Sequence, residues 1–222
     1  MTSSHFLGYL ESKACIFWDW NGTLLDDLDY SLGVNNGIFE SKGAVTLSKQ
    51  FYQDNFTLPI SEYYDKLDLE SRGISRDEMT DLFVENYEAG RHKPDLHSGA
   101  WDCLRKLYES GVTQVLFSAA HITELEFQIK HHNVSEYFEI LSGAGDFNGG
   151  SKLDRGRAVK EEYDFKNGVV VGDTLHDVQI GREIGFETVW VSEGHQSIER
   201  AQGQNFIDYI FDRKKGEFYK NS

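Results

Sequence analysis

The chain has 222 residues, 39% hydrophobic and 14% aromatic, which suits a large folded domain or a core with a smaller insertion and excludes a disordered chain. A formal charge of −15 and a pI near 4.9 exclude the basic footprint of non-specific nucleic-acid binding and disfavour an anionic membrane surface. If the substrate is itself an anion, a local positive centre must overcome that field, and a divalent cation supplies one.

The N-terminal stretch MTSSHFLGYLESKAC lacks the basic start and apolar run of a signal peptide. No apolar run approaches the roughly 18–20 residues of a membrane span, so the expectation is a cytoplasmic protein. Cys15 and Cys103 form no CxxC and lie in apolar-patterned segments, which predicts buried free thiols.

In chain order, the apolar run 14–20 (ACIFWDW) predicts a first buried strand. Helical patterning alone follows, over 27–41, 46–56, 60–71 and 75–90, punctuated by Leu58-Pro59, Gly73 and Lys93-Pro94. A helix over 99–110 puts Trp101, Leu104, Leu107 and Tyr108 on one face, and Gly111 can end it. Further strands are predicted at 112–118, 137–142, 168–172, 187–192 and 206–211, with helices at 121–132, 152–163 and 175–184. The strands are nearly continuous in hydrophobicity rather than alternating, as expected when both faces are covered. The alternation predicts a Rossmann-like, doubly wound parallel α/β sheet. Residues 1–26 and 96–222 read as that core, and 27–95 as an α-helical insertion between its first two strands.

In such a sheet ligands bind beyond the carboxyl ends of the strands. Asp19, Asn21 and Thr23 follow strand one; Ser118, Ala119, Ala120 and His121 follow strand two. After strand three, GAGDFNGGSK leads to Lys152, and after strand four come Asp173, Thr174 and Asp177. Singly, each has an ordinary reading: Asp and Ser cap helices, and a lone Lys is solvated surface. Together and in this order they point to one site.

These residues resemble the motifs of the haloacid dehalogenase-like hydrolases, most closely the branch similar to phosphoglycolate phosphatases. Asp19-Trp20-Asn21-Gly22-Thr23 matches DxDxT except at its third position; Leu116-Phe117-Ser118, Lys152 and Gly172-Asp173-Thr174-Leu175-His176-Asp177 match the other three. The resemblance implies a phosphatase using Mg²⁺, with the helical insertion as its cap and a small phosphorylated metabolite as substrate. It makes Asp19 the nucleophile that forms an aspartyl-phosphate. Asp19, the Asn21 carbonyl and Asp173 would ligate the metal, with Asp177 holding a water ligand or pairing with Lys152. Ser118 and Lys152 would bind the phosphoryl group, aided by Ala119 and by the Asn21-Gly22-Thr23 amides as an anion nest. Physiological substrate and oligomeric state are not specified by any motif.

Asn21 stands where the family's phosphatases carry a proton-donating Asp. An amide hydrogen-bonds but exchanges no proton at neutral pH, a loss worth on the order of 10²–10⁴ in rate. Three readings follow: a phosphatase acting on good leaving groups or borrowing a proton, different chemistry on the scaffold (C–P or C–halogen cleavage), or a weakly active relative that binds a phosphorylated ligand or protein partner. C–P cleavage would require a Schiff-base lysine from the insertion, where Lys42, Lys49 and Lys66 are the candidates. His121 and His176 are candidate proton carriers, although His121 also suits the start of its helix. Gly145–Lys152 lacks the Gly-Lys-Ser/Thr of a P-loop. Phe51, Tyr52, Phe56, Tyr63 and Tyr64 read as core of the insertion or as pocket lining.

Overall fold

The computed structural model describes residues 3–145 and 152–221. Seven strands form one sheet: β1 (Cys15–Trp18), β2 (Thr113–His121), β3 (Ile140–Ala144), β4 (Gly168–Gly172), β5 (Glu187–Val191), β6 (Tyr209–Asp212) and β7 (Glu217–Lys220). Their order is β3-β2-β1-β4-β5-β6-β7, parallel except for the antiparallel β6–β7 edge. The alternating side chains of β1 explain its unbroken hydrophobicity. Ile16 and Trp18 pack with Leu104, Leu116 and Val169 on one face, while Cys15 and Phe17 meet Val115, Val170 and Phe186 on the other. Helices α1 (Ser4–Glu11), α6 (Ala100–Glu109) and α7 (Ile122–His131) cover the first face; α8 (Lys152–Glu162) and α9 (Leu175–Glu183) cover the second. Both cysteines are buried free thiols.

Between β1 and α6 run four helices, α2 (Leu28–Ser41), α3 (Lys49–Asn55), α4 (Ile60–Lys66) and α5 (Arg76–Ala89). They bury a separate apolar cluster that includes Ile38, Phe39, Tyr52, Tyr63, Leu67 and Met79. A short helix, α10 (Ile198–Ala201), precedes β6.

Several boundaries differ from the sequence pattern for local reasons. A 3₁₀ turn at Ser135–Tyr137 delays β3 to Ile140, and β6 starts at Tyr209. The buried stripe of α6 is Ala100, Cys103, Leu104 and Leu107, because the helix packs flat on β2. Trp101 and Tyr108 flank that stripe, 41% and 50% exposed, with their rings against Tyr137. Helix α1 and strand β7 have no counterpart in the predicted elements; Phe6 of α1 stacks on Phe211 at 4.4 Å and meets Phe218 of β7 at 5.2 Å. Among the described residues no helix is long and apolar enough to cross a membrane.

Candidate active site

The strand order reverses about β1, which pairs in parallel with β2 on one side and β4 on the other. This is the switch point of a doubly wound sheet, where the carboxyl ends of adjacent strands leave a crevice. Asp19 follows β1, its amide bonded to the Val171 carbonyl at 2.9 Å, and Asp173 follows β4. Asp177 comes from the first turn of α9, fixed by a capping box: Thr174 donates to its Oδ2 at 2.5 Å and receives its amide. Carboxylate oxygens of Asp19, Asp173 and Asp177 lie within 4.8 Å of one another, all buried. Lys152, at the start of α8 and 1% exposed, donates to Asp19 Oδ1 at 2.7 Å and Asp177 Oδ1 at 2.6 Å.

One ammonium does not balance three buried carboxylates. Burial first, then the Asp177 charge, outweigh Lys152 and push the Asp19 carboxyl up to about 8. Asp173 is raised by burial and Asp177, against His195 and two hydrogen bonds. For Asp177 burial is overcome by Lys152 and His176, and its carboxyl is lowered. Burial opposes the charge on Lys152, but Asp177 and Asp19 hold it above its ordinary value. A cluster of hard oxygen donors that retains a proton for lack of positive charge fits a divalent cation.

Thr23 donates through Oγ1 to Asp173 Oδ1 at 2.7 Å. The Gly22 and Thr23 amides already have acceptors, Asp27 Oδ1 and the Trp20 carbonyl. Gly22 sits at φ +71°, and a Cβ there would lie 2.7 Å from the His195 ring and closer still to the Asp173 carboxylate. Only glycine fits. Ser118 and Ala119 lie where β2 slips register against β3 between Phe117 and His121, a break that turns the strand end toward the crevice. Ser118 is buried; its Oγ accepts from the Ala120 amide and its carbonyl from Arg155.

Asn21 does not stand alone. Its Nδ2 donates to Asp27 Oδ2 at 2.8 Å and to the Tyr87 hydroxyl at 3.0 Å. Asp27, 1% exposed, also accepts from Tyr87, Ser31, the Gly22 amide and, at 3.1 Å, His195 Nε2. Burial alone would raise its carboxyl, but the His195 charge and these donors hold it at about 2. Burial likewise works against the His195 imidazolium, yet Asp27 and Asp173 push it up to about 9. His195 Nδ1 donates to the Tyr52 hydroxyl at 3.0 Å, and its amide to Asp173 Oδ2 at 2.6 Å. Arg213 grips the turn from behind through the Gly22 and Thr23 carbonyls. His97, held neutral by burial and Arg213 with its pKa lowered to about 3, also donates to the Gly22 carbonyl.

Asp27, His195 and Arg213 were not singled out in the sequence. His195 and Arg213 lie just past the carboxyl ends of β5 and β6, where the same rule places ligands; the second Asp of Asp26-Asp27 reads from sequence only as a helix start. Of the two histidines expected as proton carriers, His121 lines the cavity but caps α7, its Nε2 against the Gly145 carbonyl, and His176 is half-buried, with its Nδ1 buried and without a partner among the described residues. Lys42, Lys49 and Lys66 bond Glu78, Asp29 and the Asn55 carbonyl at the surface of the insertion, and none lines the crevice. Most of the Gly145–Lys152 stretch, 146–151, lies outside the described residues.

Above the carboxylates a cavity of about 230 Å³ reaches under helices α2 to α5. Asp19, Asn21, Ser118, Ala119 and Asp177 form its floor, and Tyr52, Phe56, Tyr63, Phe83 and Tyr87 stand over them. The two layers are joined by Gln53 to the Gly194 carbonyl and by Gln196 and Arg200 to the Phe56 carbonyl.

Known proteins share this architecture. A predicted phosphatase from Clostridium acetobutylicum superposes with a TM-score of 0.71 at 18% identity, over 91% of this chain and 95% of that one. A predicted phosphoglycolate phosphatase from Haemophilus somnus gives 0.71 at 15%, over 90% and 94%. Protein Tyrosine Kinase A of Mycobacterium tuberculosis gives 0.69 at 23%, over 84% and 87%. At these identities the likeness is one of fold. Among curated proteins no relative matches. The family model described as haloacid dehalogenase-like hydrolase matches residues 16–191, from β1 to the end of β5. With that match over most of its length, the chain belongs to the haloacid dehalogenase-like hydrolases.

Proposed function

We propose that the protein is a Mg²⁺-dependent phosphatase of small phosphorylated metabolites, with residues 27–95 as a cap over a core of 1–26 and 96–222. The observation that carries this is the buried Asp19–Asp173–Asp177 cluster with Lys152 among its carboxylates at the sheet's switch point. The cation would be held by Asp19, the Asn21 carbonyl, Asp173 and Asp177, and when bound it neutralises charge on the phosphoryl oxygens. Asp19 attacks phosphorus, its P–O bond forming as the ester P–O bond breaks; water then hydrolyses the aspartyl-phosphate, yielding alcohol and phosphate. Lys152 stabilises ionised Asp19 and the incoming phosphoryl charge, and Ser118 and Ala119 donate to phosphoryl oxygens. Asn21 gives no proton, so the leaving group departs as an anion and takes its proton from water. C–P cleavage is disfavoured by the surface positions of Lys42, Lys49 and Lys66.

Acid quench of protein mixed with phenyl phosphate and Mg²⁺, followed by peptide mass mapping, is expected to find one added phosphoryl group on the peptide containing Asp19. Turnover with no such adduct, or an adduct on another residue, contradicts the assignment.

A further inference from the structure

The cavity has a chemical character of its own. Its walls carry Tyr52, Phe56, Tyr63, Tyr64, Phe83 and Tyr87, and among the described residues no Lys or Arg lines it. The two lining histidines are already committed: both ring nitrogens of His195 serve Asp27 and Tyr52, and those of His121 serve Thr123 and Gly145. Three lining residues beyond the carboxylate cluster, Asp27, Glu88 and Glu124, are acidic. A second anion on a substrate would be desolvated here without a cationic partner, which is strongly unfavourable.

Two buried polar atoms of the lining have no partner among the described residues: Glu124 Oε1 and the Tyr63 hydroxyl. Glu124 Oε2 is paired with Arg91 at 2.8 Å, so the carboxylate is fixed with one oxygen left over. Buried acceptors without partners are rare and call for a donor. As for size, an apolar cavity of about 150 Å³ admits benzene. The cavity here, at about 230 Å³, therefore has room for one ring above a phosphoryl group.

Leaving-group chemistry points the same way. A phenol ionises near pH 10, roughly as a tyrosine does, and departs without a general acid far more readily than an alkoxide. With Asn21 in place of that acid, a ring that is also a good leaving group resolves both features together. Resting on the reading of Asp19 as nucleophile, we infer that the cavity selects aryl phosphate monoesters, with a hydrogen-bond donor on the ring as the best fit, and rejects substrates bearing a second anionic group.

Binding of non-hydrolysable ligands tests this without chemistry. With Mg²⁺ present, calorimetry is expected to show phenylphosphonate binding at least ~10-fold more tightly than phosphonoacetate, whose carboxylate meets the acidic wall. In Glu124→Gln that preference should fall several-fold, as the wall facing the carboxylate loses one negative charge. Equal or tighter binding of phosphonoacetate by the native protein overturns the inference, as does a preference unchanged by Glu124→Gln. Inorganic phosphate separates the two levels of failure. If it binds but the aryl preference is absent, only the cavity assignment falls; if neither phosphate nor either phosphonate binds, the phosphoryl site falls with it.

Discussion

Asp27→Ala is expected to destabilise the protein by about 3–5 kcal/mol, the range for breaking a buried charge pair from one side. The substitution removes the acceptor for Asn21, Tyr87, Ser31, the Gly22 amide and His195 at once. It also leaves the imidazolium of His195 buried without its counter-charge. Asp27 belongs to the start of α2, Tyr87 to α5 and His195 to the loop after β5, so the loss is felt in helices α2 and α5 and at the sheet's carboxyl edge together. His195→Ala should cost a similar amount, and the double variant less than the sum, since each single change orphans the other partner. Urea unfolding of the four proteins measures this; strict additivity contradicts the pairing. The pH dependence has a definite sign. Asp27 is depressed to about 2, so its contribution is present above its ordinary 3.8 and disappears as pH falls through 2. His195 is raised to about 9, so its contribution is complete below its ordinary 6.5 and disappears as pH rises through 9. The pair contributes fully between those ordinary values, and Asp27→Ala should narrow its gap to the native protein toward either extreme.

The second large effect joins the metal to protons. In cation-free protein Asp19 holds its proton up to about pH 8, whereas the unfolded chain releases it near 3.8. The native state thus binds more protons over that interval, and its stability falls as pH rises through it. A cation must displace the same proton. Mg²⁺ affinity is therefore expected to climb by up to about tenfold per pH unit toward pH 8, with about one proton released per ion bound. Calorimetry in two buffers of different ionisation enthalpy counts that proton directly. Asp19→Asn removes both the charge and the proton. It should abolish the pH dependence of binding and raise cation-free stability at pH 8 while eliminating turnover. A pH-independent affinity in the native protein contradicts this description of the cluster.

Much of this was legible in the sequence because one physical rule carries far. Strands buried on both faces read as unbroken apolar runs, and ligands gather past their carboxyl ends, so β1, β2 and β4 led to Asp19, Ser118 and Asp173. What stayed hidden depends on distance in space. Asn21 and Asp27 are separated by five residues of chain, yet their side chains meet at 2.8 Å because Gly22 turns the backbone back on itself. The His195–Asp27 pair spans |i−j| = 168, and nothing in local periodicity encodes it. The aromatic residues of α3 and α4 were ambiguous between core and pocket for a good reason. Tyr52, Phe56, Tyr63 and Tyr64 serve as both, packing together among helices α2 to α5 and lining the cavity, whereas Phe51, 38% exposed, serves as neither. Strand β7 was missed since an edge strand of Glu217–Lys220 is too short and too exposed to show a pattern.

Asn21 acquires a structural reason from these contacts. An Asp in its place would set a second carboxylate about 2.8 Å from that of Asp27, and two such groups must share a proton. Asn21→Asp should therefore carry a protonated acid near neutrality, at some expense in stability, and regain the missing proton donor. Hydrolysis of phenyl phosphate and cyclohexyl phosphate, in Mg²⁺, by the native protein, Asn21→Asp and Asp19→Ala tests this most directly, since the two esters share a ring and differ in leaving group. Native protein should cleave the phenyl ester and barely touch the cyclohexyl ester; Asn21→Asp should raise the latter by on the order of 10², and Asp19→Ala should lose both. Cyclohexyl hydrolysis as fast as phenyl in the native protein, or hydrolysis that survives Asp19→Ala, contradicts a phosphatase built on Asp19 and limited by its missing acid.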